Sequence, residues 1–124
     1  MNLEVASQSD LRELMLRDKT FLAQLYLSKN PAITRNLITN AKDTQLTLLI
    51  QILHYIAKGE IGVKTKLFHQ EVVKTAPYLE RTFTLEEANK LLNENRETQC
   101  KSLKKVAVGF PSLFYFLFNE EQKK

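Results

Sequence analysis

The side chains best suited to chemistry in this sequence are two histidines, His54 and His69, one cysteine, Cys100, and the carboxylate pairs Glu86-Glu87 and Glu120-Glu121. A metal site needs several His, Cys or carboxylate ligands at close spacing, as when two histidines stand four apart on one helix face. Neither histidine has a second ligand one helical turn away. Cys100 would become a nucleophile only beside a base supplied by the fold, and it reads instead as a buried helix residue. The two carboxylate pairs fall at a helix start and near residue 124, where dipole compensation and solubility account for them. The expectation is therefore a protein that is not an enzyme, with no metal site and no cofactor. His54, between Leu53 and Tyr55, is expected to be hydrogen-bonded inside the domain, and His69 to lie on its surface.

Binding chemistry is better represented. Lys101, Lys104 and Lys105 share a helix face, with Arg96 about a turn upstream, and together they form a strip able to touch phosphates. A second basic group, Lys58, Lys64, Lys66 and Lys74, surrounds the connector from Gly59 to Val63. Of these, Arg96, Lys101, Lys104, Lys105, Lys64 and Lys66 are the candidate nucleic-acid contacts, against the plainer reading of a solvated face. The segment Phe110 to Phe118 holds four Phe and one Tyr. That is more than one face of a terminal helix usually buries, so Phe110, Phe114, Tyr115, Phe116 and Phe118 are candidate partner contacts, with Tyr115 and Phe116 outermost. The competing reading is a helix that closes the core.

The elements that must position these residues are helical. With 124 residues, 44% of them apolar, and only three Gly and three Pro, the chain suits one domain of long regular elements. The sharpest element is Asp43 to Gly59: Asp43 can cap a helix start, Gly59 suits the left-handed position after a helix end, and Ile61 is placed to fold back over it. Its apolar residues lie on most sides, so it is expected at the centre of a bundle. Upstream, Asp10 with Glu13 suggests a capping box opening a helix to about Ser28, and Asn30-Pro31 opens a short one to about Ala41. Downstream, Leu67, Phe68, Val72 and Ala76 recur helically until Pro77 interrupts, with a short turn to Thr82. Thr84 and Glu87 form a second capping box, Thr98 to Val108 follows, and after Gly109 the last helix runs from Ser112 to about Asn119. The fold class is all-α: a compact single-domain bundle of about six helices. Residues 1–6 and 120–124 are expected to be mobile, having little to anchor them.

Composition also sets limits. The formal charge is +4, a bias towards acidic partners that falls short of the density used to condense nucleic acid. A single cysteine and the lack of a signal-peptide pattern lead to the expectation of an intracellular protein of the cytoplasm or nucleus. The run Val106 to Phe118 is broken by Gly109 and Pro111 and is shorter than the ~20 residues a transmembrane helix needs.

The order of features from Ile33 onward, through Asn36 to Ala41, Thr44 to Ile50, Ile52 to Ile56 and the turn Lys58-Gly-Glu-Ile61, resembles small helical proteins of Polinton/Maverick-type elements and adintoviruses. These are compared with adenovirus core proteins. Tyr78 to Phe83 and Lys101 to Leu113 are similar to the same pattern, so the resemblance covers about two-thirds of the chain. It implies a virus- or transposon-encoded assembly, with a virion location. Glu80, Glu86, Glu87, Glu94 and Glu97 interrupt a region that is more basic in those relatives, which shifts weight from packaging towards protein binding. The leading expectation is an interaction module that binds another protein or self-associates, a homodimer included. A sequence-independent nucleic-acid-binding accessory protein is the alternative, and a death-fold-like or Bcl-type regulatory module a third.

Overall fold

The computed structural model describes residues 3–60 and 70–115. Among them there is no strand, and the helices are α1 (Gln8–Arg17), α2 (Lys19–Leu27), α3 (Pro31–Thr39), α4 (Asp43–Lys58), α5 (Gln70–Thr82), α6 (Leu85–Leu92), α7 (Arg96–Lys104) and α8 (Phe110–Leu113). A 3-10 turn, Ala107–Gly109, joins the last two. The all-helical expectation holds, with eight helices among the described residues in place of about six.

α4 is the centre, packed against α1, α5, α6 and α7. An unbroken run from Leu48 to Ile56 is buried, so the helix meets neighbours on all sides rather than along one stripe. Gly59 ends it at φ +82°, and its N–H and that of Glu60 satisfy the carbonyls of Ile56 and Tyr55. At the other end the main-chain N–H of Lys42 is met by the Gln45 Oε1 at 2.8 Å, so the cap position is Lys42 and Asp43 lies inside the first turn. Ile61 lies outside the described residues.

Four boundaries differ from the sequence pattern, two for reasons of packing and two for reasons of capping. The first long helix is two, broken at Asp18, whose φ of −109° leaves the helical region. The break lets Leu11 face α4 while Phe21, Leu22 and Leu25 turn elsewhere in the core, with α2 against α8. The start is capped by Ser7, which accepts from the Asp10 N–H, rather than by Asp10. Pro77 does not end its helix: α5 continues to Thr82 because Leu79 and then Phe83 are buried, and that burial outweighs one missing main-chain bond. α7 starts two residues early, at Arg96, because Asn95 accepts from the Thr98 N–H at 2.8 Å. Thr84 caps α6 as its sequence implied, accepting from Glu87 N–H at 3.3 Å.

Phe110 and Phe114 are both fully buried, their rings stacked at 5.0 Å. The 3-10 turn swings this segment back under the bundle against α2, where Tyr115 meets Tyr26 at 6.2 Å. What reads in sequence as surplus aromatic surface is, at Phe110 and Phe114, part of the core. Phe116 and Phe118 lie outside the described residues. No helix among the described residues is long and apolar enough to cross a membrane.

Candidate functional site

Among the described residues, the most specific polar constellation holds a short piece of the protein's own main chain. Residues 3–6 run in non-helical form into Ser7, the cap of α1. Two helices supply side chains to them at positions four apart: Gln51 and Tyr55 from α4, and Asn89 and Asn93 from α6 and its C-terminal cap. Residues at this spacing share a helix face, so each pair points into the same cleft.

Asn93 reads both polar groups of one residue. Its Oδ1 accepts from the Leu3 N–H at 2.9 Å and its Nδ2 donates to the Leu3 carbonyl at 2.9 Å. The second Nδ2 hydrogen is spent on the Asn89 carbonyl at 2.7 Å, which fixes the orientation of the amide. Asn89 Oδ1 accepts from the Val5 N–H at 2.8 Å. Gln51, buried in the body of α4, accepts from the Ala6 N–H at 2.7 Å while its Nε2 donates to the Thr47 carbonyl at 3.2 Å. The Tyr55 hydroxyl closes the set, donating to the Ala6 carbonyl at 2.6 Å. Residues 3–6 are therefore hydrogen-bonded to the bundle, where the sequence offered little to anchor them; residues 1–2 and 120–124, expected to be mobile with them, lie outside the described residues. The main-chain groups of residues 3–6 find side-chain amides and a phenol where a sheet would offer another backbone.

Few of the segment's side chains are engaged. Glu4 is exposed and Leu3 is 48% exposed, while Val5 alone packs against the core. The contacts to this segment are therefore made mainly to its main chain, with Val5 as the packed aliphatic side chain. His54 supports it from behind: its Nδ1–H donates to the Phe83 carbonyl at 2.7 Å and its ring meets Tyr55 edge-on at 5.3 Å. This is the internal hydrogen bond expected of His54; His69 lies outside the described residues. Cys100 is buried, as expected of a helix cysteine, with Sγ 3.8 Å from the Ile38 carbonyl.

The sequence-derived basic residues divide. Arg96 is committed to internal contacts: one guanidinium nitrogen pairs with Asp43 Oδ1 at 2.7 Å, and the other donates to the carbonyls of Ala41 and, at 2.8 Å, Thr39. It ties the start of α7 to the end of α3, where a cation complements the helix dipole, and so is not a free phosphate contact. Lys101 and Lys105 are exposed and Lys104 is half-buried on the outer side of α7. Lys105 lies 5.7 Å from the Tyr78 ring centroid, and the Tyr78 hydroxyl is 3.3 Å from that of Ser102. Lys58 pairs with Glu60 at 3.1 Å. Lys64, Lys66 and the side chain of Lys74 lie outside the described residues.

An open groove of about 280 Å³ lies between α2 and α3, lined by Phe21, Ile33, Leu37 and Ala41 and rimmed by amide side chains. Among the described residues no three His, Cys, Asp or Glu gather as metal ligands would. No family model, curated protein or solved structure matches this chain.

The amide cleft was missed in the sequence because asparagines near a helix end read as ordinary capping residues. One signal was present: Gln51 is an uncharged polar residue in the middle of an otherwise apolar helix, and a buried amide needs partners.

Proposed function

We propose that this chain is a non-enzymatic helical interaction module that binds a partner protein by its extended main chain in the cleft between α4 and α6. The observation that carries this reading is the bidentate Asn93 amide on Leu3, continued by Asn89, Gln51 and Tyr55 along residues 5 and 6. Each helix supplies groups four residues apart, about 6 Å along its axis, and an extended chain repeats every second residue over about 6.7 Å. The two spacings agree, so Asn89 and Asn93 can serve alternate residues of any extended segment. A virus- or transposon-encoded assembly is the setting that the family resemblance implies.

The test uses the full chain with Val5→Pro, which lacks the N–H that Asn89 accepts and is expected to weaken the hold of residues 3–6 on the cleft. A labelled peptide carrying residues 2–8 is expected to bind this variant saturably, and to stop binding when Asn89→Ala and Asn93→Ala are added. Absence of binding at millimolar peptide, with the variant folded by circular dichroism, ends the reading.

A second reading, sequence-independent nucleic-acid binding, is supported by Lys101, Lys104 and Lys105. Among the described residues none of the three has an ion-pair partner. Its contribution is electrostatic and salt-sensitive.

A further inference from the structure

We infer that residues 3–6 are a resident, displaceable ligand of this cleft, and that its partner is an extended segment with free N–H groups at three defined positions and a small aliphatic side chain at one. The inference rests on the peptide-binding reading above and adds the partner's chemistry and the control of access.

Five hydrogen bonds hold the segment, and every one runs from its main chain to a side chain of α4 or α6 or its cap. They fall on the N–H groups of Leu3, Val5 and Ala6 and on the carbonyls of Leu3 and Ala6. Glu4 has no hydrogen bond among them. A ligand must therefore present N–H at the first, third and fourth positions, where proline is forbidden, while the second position accepts proline, which is already extended. Val5 packs against the core, so the third position selects a short aliphatic group; the exposed Glu4 and half-exposed Leu3 leave the first two permissive. In chain direction the segment runs against α6, its Leu3 at Asn93 and its Val5 at Asn89.

Displacement follows from how little holds the segment. Each hydrogen bond replaces one made with water, so its net contribution is small, and only one aliphatic side chain is packed. What favours the resident segment is its covalent tether at Ser7, which gives it the effective concentration of a short linker, of millimolar order. A partner reaches the cleft only in the fraction of molecules whose segment is out, and its apparent affinity is lowered by that fraction.

The experiment compares the full wild-type chain with the Val5→Pro variant, using the labelled peptide of residues 2–8 and two peptide derivatives, one with Glu4→Pro and one with Val5→Pro. The variant is expected to bind the parent peptide at least about 10-fold tighter than the wild-type chain does. The Glu4→Pro peptide is expected to bind within about threefold of the parent, and the Val5→Pro peptide at least about 10-fold more weakly, since it loses a hydrogen bond and leaves the Asn89 oxygen unmet. Equal binding to wild type and variant would overturn the resident-ligand inference while leaving the binding site standing. Equal loss from both prolines would overturn the positional pattern. Failure of every peptide on the variant would instead remove the reading on which both rest. Should Val5→Pro not fold, Leu3→Pro, which deletes only the N–H bonded to Asn93, takes its place in the same comparison.

Discussion

Asn93 uses its whole amide: the oxygen accepts from Leu3, and the two nitrogen hydrogens go to the carbonyls of Leu3 and Asn89. Asn93→Asp keeps the shape and the acceptor but replaces both donors with a second acceptor facing two carbonyls. Because Asn93 is exposed, it is expected to lower stability by only about 0.5–1.5 kcal/mol and to speed amide exchange at Leu3, Val5 and Ala6 together, measured by denaturant melts and hydrogen exchange. Exchange that quickens at Leu3 alone would mean that the four anchors act independently. Phe114 poses the opposite question, since aromatic density in its segment suggested an exposed surface and the fold turned it inward. Phe114→Ala is expected to cost about 3–5 kcal/mol in urea unfolding, the range for deleting a buried ring, where a purely interfacial residue would cost the isolated chain almost nothing. Composition showed that these rings matter. It could not show their direction, because Gly109 permits the turn under the bundle without dictating it.

Helix ends differ in how legible they are, and the difference is chemical. α4, α3 and α6 carry their limits locally, in Gly59, Asn30-Pro31 and Thr84, whose side chains or conformational freedom meet main-chain groups within a turn. The break at Asp18 and the passage of α5 through Pro77 are set by what lies across the core, which periodicity along one chain does not contain. The cleft is illegible for the same reason: Leu3 and Asn93 are distant in sequence, and only the packing of α4 against α6 brings their partners to one groove. Gly59 offers a clean measure of the local kind. A Cβ there would meet no atom within 4 Å, so Gly59→Ala tests the φ of +82° alone. The expected loss is about 1 kcal/mol with an unchanged dependence on denaturant concentration. A loss several times larger would mean that the turn also constrains the chain beyond residue 60.

At the scale of the molecule, the question is whether a net charge of +4 is concentrated enough to bring the protein onto nucleic acid. Arg96 is withdrawn by Asp43 and the α3 carbonyls, which leaves Lys101, Lys104 and Lys105 as the described members of the strip. Each phosphate neutralised on duplex DNA contributes about −0.9 to the slope of log affinity against log salt, so three lysines give about −2.7. Raising salt from ~50 to ~200 mM is then expected to weaken binding about 40-fold, measured by fluorescence anisotropy with a short duplex. Charge reversal of the three lysines should abolish what binding remains at ~50 mM, whereas Arg96→Ala should leave the slope unchanged and reduce stability, because its contacts are internal. A slope steeper than about −4 would require cations beyond this face and would move weight towards nucleic acid as the partner. A slope near −2.7, with peptide binding in the cleft unaffected by the lysine reversal, would assign the two surfaces to separate tasks and keep the main-chain cleft as the specific one.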